Sequence, residues 1–226
     1  MENKKHQKRI LFIGKADDHY SKTAAEYIQL HFENPMVVFS KRPEPFPEYL
    51  YGWEGDLIIS YLAQWIIPQK LLEKAKFAAI NLHPGPPEYP GIGCTNFAIY
   101  NREKEFGITC HHMVTKVDTG SLIAVRRFPV FADDTVYSIT QRCYNELLHL
   151  FYELVSGLLV NQELPQSKEI WKHKPYTRKQ LNELCELTPD MDKAEIDRRM
   201  KATTYGNKVW AYMKEKKDMS YSSDKK

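Results

Sequence analysis

Ala79-Ile-Asn-Leu-His-Pro-Gly85 is an apolar run that stops abruptly at a proline and a glycine. Pro84 has no N–H to give to a sheet ladder and Gly85 breaks one, so the run reads as a buried strand that ends at this point. Side chains along a strand repeat every two residues, which puts Asn81 and His83 on one face. An amide and an imidazole then stand together at the carboxyl end of a strand, where open α/β sheets bind their ligands.

Upstream of this stretch, residues 10–14, 36–39 and 56–62 are short apolar runs that read as three more strands, the first resembling a parallel strand covered on both faces. A helix capped by Ser21 follows the first, with Ala24, Ala25, Ile28 and Phe32 along one side, and Pro68 opens another over 69–76. Residues 41–47 carry three prolines and read as loop. Strands alternating with helices predict an α/β fold, a Rossmann-like core built on a mostly parallel sheet. The turn Gly14-Lys-Ala-Asp-Asp-His-Tyr-Ser21 has neither Gly-x-Gly-x-x-Gly nor a Walker loop, so a nucleotide fingerprint is missing there.

Downstream, residues 83–93 pack four prolines and three glycines into eleven positions, a stiff loop beside Asn81 and His83. A short helix over 95–102 leads to two strands, 106–114 and 122–130, which flank Thr115-Lys-Val-Asp-Thr-Gly120. Asp118 and Thr119 can bond their own backbone and Gly120 can take a positive φ, so this segment is a turn. Asp133 or Asp134 caps a long helix to about Val160, with Val136, Ile139, Cys143, Leu147, Leu150, Leu154 and Leu158 as its core stripe. Beyond it the chain turns polar, with the basic and aromatic run Trp171–Arg178, helices over 179–186 and 193–200, and a lysine- and serine-rich tail over 214–226 expected to be mobile.

Composition restricts the function classes. A net charge of +3 is too small to argue for nucleic acid, and no apolar run is long enough to span a membrane. No secretory signal pattern opens the chain, which is expected to be cytoplasmic. The four cysteines, Cys94, Cys110, Cys143 and Cys185, are far apart, so no metal knuckle or redox pair is expected and no metal is assigned.

Asn81, His83 and Asp118 together offer a neutral donor for a developing oxyanion, a group that handles protons near pH 7, and a carboxylate to orient it or take a proton from an amine. With no serine or cysteine at a nucleophile elbow, direct attack of an amine on a carbonyl fits better than covalent acyl transfer. Taken singly, each residue is more often a satisfied strand-end or turn residue, and it is the combination that points to chemistry.

Asn81-Leu-His-Pro, followed 35 residues after the histidine by Asp118-Thr-Gly-Ser-Leu-Ile, with Phe106-Gly-Ile-Thr-Cys-His between, resembles the formyltransferases that use 10-formyltetrahydrofolate. The resemblance covers roughly residues 56–160. It implies a catalytic domain over 1–160 and a small C-terminal extension over 161–226. It also implies that Asn81 donates to the formyl oxygen, that His83 stabilises the developing charge, and that Asp118 holds His83 and takes the amine's proton. A pterin slot would lie between Ala63-Gln64-Trp65-Ile66-Ile67 and Thr115-Lys116-Val117, with Trp65 able to serve equally as core. The loop after His83 and the run Lys172–Arg178 look most like the N-formyltransferases of nucleotide-linked amino sugars. Formylation of a dTDP- or GDP-linked 3- or 4-amino-dideoxyhexose for surface polysaccharide (O-antigen) is therefore the expected activity. Pro86 and Tyr89 would line the sugar pocket, and Lys172, Lys174 or Arg178 would meet the diphosphate. Glycinamide ribonucleotide enzymes carry a glycine- and serine-rich phosphate loop that residues 14–21 do not match, and methionyl-tRNA enzymes continue into an OB-fold domain for which 161–226 has little strand pattern. Those activities, and a hydrolytic or non-catalytic relative, are the alternatives. Leu181, Leu184, Leu187, Met200, Val209 and Trp210 need a cover, for which a homodimer is expected.

Overall fold

The computed structural model describes residues 5–214. Six strands form one sheet in the order β2-β1-β3-β4-β5-β6, namely β1 (Ile10–Lys15), β2 (Met36–Ser40), β3 (Gly55–Tyr61), β4 (Ala75–His83), β5 (Glu105–His112) and β6 (Leu122–Pro129). The first four are parallel, and β5 and β6 join antiparallel at the β4 edge. The α/β architecture read from the alternation is the one observed.

Helices cover both faces. On one side α1 (His19–His31), α3 (Cys94–Asn101) and α4 (Val136–Asn161) pack on Phe12, Ile59, Tyr61 and Ile108, with Ile28, Phe97, Ile139, Leu147 and Phe151 filling the layer. On the other, α2 (Gln69–Leu72) and a 3₁₀ turn over Glu48–Gly52 bring Leu50, Trp53 and Leu71 onto Leu11, Ile13 and Ile58. The fully buried faces explain why β1 and β3 are continuous apolar runs rather than alternating ones.

Several boundaries differ from the sequence reading. The cap of α1 is Asp18, whose carboxylate accepts the Ser21 N–H, while the Ser21 hydroxyl accepts the Lys15 N–H. α2 stops at Leu72 instead of 76, because Ala75 is already captured by pairing with Gly55 in the sheet. Thr135, not Asp133 or Asp134, caps α4 through a capping box with Ser138, and Asp134 is instead buried against Arg142 at 2.9 Å. β5 ends at His112 rather than 114, since His112 N–H turns to the Ser121 carbonyl.

Among its described residues the extension holds α5 (Arg178–Cys185) and α6 (Lys193–Ala202) near the expected places, and also four two-residue strands that the polar composition hid: β7 (Glu186–Leu187), β8 (Thr204–Tyr205), β9 (Lys208–Val209) and β10 (Tyr212–Met213). Leu181, Leu184 and Ala202 join the main core, and Leu187 is also buried, whereas Val209, Trp210, Tyr212 and Met213 are exposed. The tail expected to be mobile lies, after Lys214, outside the described residues. All four cysteines are buried free thiols, and no described helix is long and apolar enough to cross a membrane.

Candidate active site

A cavity of about 400 Å³ opens at the carboxyl ends of β1, β3 and β4. It straddles the edge of the sheet. One wall, with Ile92, Cys94 and Tyr144, belongs to the α1/α3/α4 side, and the other, with Ala63, Trp65, Ile67 and Met113, to the α2 side. Asn81 and His83 leave β4 between the two walls.

Pairing across the sheet adds a residue that sequence reasoning did not single out. β5 runs antiparallel to β4 and puts His111 opposite Asn81, with Asn81 Nδ2 3.1 Å from His111 Nε2. Alternation along 106–112 marks which side chains share a face, but the register that sets His111 against Asn81 is a property of the folded sheet.

The turn after β5 returns Asp118 to these groups. Asp118 adopts φ 47°, and Gly120 has no room for a Cβ, which would lie 1.9 Å from the His112 carbonyl oxygen. The Asp118 carboxylate is 7% exposed. Its Oδ2 accepts the Gly91 N–H at 2.7 Å and lies 3.4 Å from His83 Nδ1, and its Oδ1 lies 3.2 Å from His111 Nε2. Burial pushes this carboxyl up, but the charge of His83, the bond and charge of His111 and the Gly91 N–H outweigh it and hold the group down at about 2. It is a carboxylate at neutral pH.

The outer nitrogens of both imidazoles are committed. His83 Nε2 lies 2.9 Å from the Tyr89 carbonyl and His111 Nδ1 2.8 Å from the His112 carbonyl. Carbonyls only accept, so these nitrogens carry the N–H in each neutral ring, and both inner nitrogens face the Asp118 oxygens. A proton taken up by the cluster therefore lands between an inner nitrogen and Asp118. Close approach is needed to pin His83 in this way, since a Cβ on Gly85 would stand 2.7 Å from Nε2.

Cys94 also lines the cavity, but burial pushes its thiol up to about 12 and its Sγ–H donates to the Pro84 carbonyl at 3.1 Å. It is no nucleophile at neutral pH.

Every residue expected in the pterin slot, Ala63, Gln64, Trp65, Ile66, Ile67, Thr115, Lys116 and Val117, lines the cavity. Ile66 is 71% exposed and Val117 46%, so the slot presents uncovered apolar surface. Trp65 does both things its sequence allowed: it lines the slot and packs on the core, held by its Nε1–H on the Glu44 carbonyl at 2.9 Å. The residues expected around the acceptor lie elsewhere. Pro86 and Tyr89 are buried outside the lining, with the Tyr89 hydroxyl donating to Glu103 and its ring stacked on Tyr176. Lys172, Lys174 and Arg178 are exposed and do not reach the cavity. The cation on that side is Lys15, at the end of β1, 3.2 Å from the Tyr144 hydroxyl and 3.5 Å from Asp18.

A protein family described as formyl transferase matches residues 2–154. GDP-perosamine N-formyltransferase of Brucella melitensis is 29% identical over 160 residues, 70% of this chain and 61% of that protein. Methionyl-tRNA formyltransferase of Halalkalibacterium halodurans is 30% identical over 166 residues, 72% of this chain and 51% of that protein. The chain thus spans between half and about three-fifths of these relatives' length. Among solved structures, a 4-N formyltransferase from Francisella tularensis has the same fold, with a TM-score of 0.78, 19% identity and coverage of 93% of this chain and 94% of that one. An N-formyltransferase from Helicobacter canadensis, solved with folinic acid and dTDP-3-aminofucose, superposes with a TM-score of 0.69 at 21% identity, over 86% and 80%.

Proposed function

The chain belongs to the formyl transferase family, and we propose that it transfers a formyl group from 10-formyltetrahydrofolate to the amino group of a nucleotide-diphosphate-linked amino-deoxysugar. What carries the reading is that Asn81, His83 and Asp118 share one cavity with the uncovered apolar slot of residues 63–67 and 115–117.

The donor supplies a formyl carbon on a nitrogen that leaves as N–H. Asn81 gives its amide N–H to the formyl oxygen as charge develops there, a preorganised neutral donor in a half-buried site. The proton lost by the attacking amine goes to the His83–Asp118–His111 cluster, whose inner nitrogens are placed to take one, and the same cluster returns a proton to the departing nitrogen. The new C–N bond forms as the old one breaks, with no net change in protons on the protein.

Ile66 and Val117 suit a flat aromatic donor, and the Helicobacter canadensis enzyme was solved with a folate compound. The acceptor enters from the wall of Ile92, Cys94 and Tyr144, where Lys15 supplies fixed positive charge for a diphosphate. A bound sugar nucleotide in that same relative and the likeness to GDP-perosamine N-formyltransferase favour a sugar acceptor for polysaccharide synthesis. The exposed Val209, Trp210, Tyr212 and Met213 are the surface for the homodimer, which light scattering at micromolar concentration tests.

The deciding experiment incubates the protein with 10-formyltetrahydrofolate and dTDP-, GDP- and UDP-linked 3- or 4-amino sugars, with methionyl-tRNA and glycinamide ribonucleotide alongside. Tetrahydrofolate release with a product heavier by one formyl group on a sugar nucleotide is expected. Transfer to methionyl-tRNA or glycinamide ribonucleotide alone overturns the sugar reading, and folate turnover without an acceptor marks a hydrolase.

A further inference from the structure

Trp171 belongs to the extension, 53 positions beyond Asp118 in the chain. Its indole nevertheless packs against both imidazoles of the site, with ring centroids 5.8 Å from His83 and 5.1 Å from His111 and interplanar angles of 74° and 79°. It reaches them without lining the cavity. The indole N–H donates to the Gly120 carbonyl at 2.8 Å, which ties the ring to the turn that carries Asp118.

The backbone on either side is fixed as firmly. Ser167 N–H donates to the Leu122 carbonyl at 3.0 Å, Lys172 N–H to Pro87 at 2.9 Å, and Tyr176 N–H to Pro90 at 2.9 Å, while Tyr176 returns a carbonyl to Ile92 N–H at 3.0 Å. The segment is thus laced to the start of β6 and along the proline loop, and Trp171 stands where the two lines of bonds meet.

We propose that Trp171 is a positioning residue for the transfer reaction: it holds the His83 and His111 rings in the orientation that turns both inner nitrogens to Asp118. The physical basis is that each imidazole has its outer nitrogen on a carbonyl and an inner nitrogen toward Asp118, so ring tilt alone decides the inner geometry. One indole in edge contact with both rings restricts both tilts at once. Of the titratable groups beside the pair, Asp118 and His112 both precede the extension. The extension is on this view part of the catalytic apparatus.

The kinetic consequence rests on the formyl-transfer reading, and so the test has one arm that needs no turnover. Trp171→Ala and Trp171→Leu are expected to lower kcat at least about tenfold with both KM values within about threefold, and Trp171→Phe, which keeps a ring, to recover kcat to within about threefold of the parent. Equal kcat in the alanine variant, a loss confined to KM, or rescue by leucine as complete as by phenylalanine overturns the proposal. In the second arm, tryptophan emission is titrated between pH 5 and 8 in the parent and in Trp171→Phe. The parent is expected to show a pH-dependent emission component that the phenylalanine variant lacks. Identical titrations overturn the proposal, even where the alanine and leucine variants fail to fold. A parent that titrates as expected but transfers no formyl group leaves the contact standing and removes the reaction.

Discussion

The two sides of the cavity are built on opposite principles. Around Asp118, every side-chain nitrogen and oxygen of His83, His111 and the carboxylate has a partner within 3.4 Å, and the groups are 7% exposed or less. Across from them, Ile66 and Val117 stand uncovered, and Thr115 and Lys116 are open to solvent. Catalytic groups must hold their geometry before substrate arrives, because reorganising them during the reaction costs rate. A binding slot gains by the reverse arrangement, since apolar surface left wet in the free protein is the surface a ligand covers. On the proposed roles, order and exposure in this site divide along the line between chemistry and binding.

If that division is right, substitutions in the ordered cluster change kcat and substitutions in the slot change KM. The largest effect is expected for His83→Ala, with kcat falling by about 10²–10⁴, and for Asn81→Ala, by about 10²–10³ as for other oxyanion donors; steady-state rates on the best sugar nucleotide measure both. Rates within threefold of the parent in either variant would break the comparison.

Asp118→Asn is next, expected to lower kcat about a hundredfold and to change acid stability. The Asp118 carboxyl is held below its ordinary 3.8 at about 2, so the folded state binds its proton more weakly than the unfolded chain does. Its contribution is complete above about 4 and is lost as pH falls toward 2. Chemical denaturation at pH 2–4 should therefore be flatter with pH in the asparagine variant than in the parent.

Smaller effects sharpen the binding half. Lys15→Ala should raise acceptor KM about tenfold with donor KM unchanged, the loss of one charge-assisted contact. Ile66→Ala should raise donor KM about threefold, since only part of a branched side chain is removed, and Tm should stay put because Ile66 lies in solvent. Lys172→Ala, Lys174→Ala and Arg178→Ala should change neither constant more than about twofold, as expected of exposed side chains that do not line the cavity.

Those last three residues mark where sequence reading ran out. A basic run next to aromatic residues looks like an anion site, yet its aromatic members point inward: Tyr176 stacks on Tyr89 and Phe97, and Trp171 meets the two histidines edge-on. The lysines between them are left on the surface. Tyr89 failed in the complementary way, because a tyrosine in a proline loop can face a pocket or the core, and only the partners Glu103 and Asn101 for its hydroxyl decide for the core.

The sequence by itself determined the six strands of the main sheet, their parallel majority and the strand-end amide and imidazole, while the pairing of that motif with Asp118-Thr-Gly came from its resemblance to a family. The strands and the strand end follow from local chemistry, apolar periodicity and a proline that cannot donate; in the turn, the positive φ expected at Gly120 falls instead on Asp118, and Gly120 is required by its close approach to the His112 carbonyl. Tertiary structure alone decided that His111 faces Asn81, that His83 and His111 both meet the Asp118 carboxylate, that Lys15 stands at the cavity wall beside Tyr144, and that Trp171 backs the histidines. Each of these is a contact between segments far apart in the chain, set by sheet register and by packing of whole elements, and no window of sequence contains both partners.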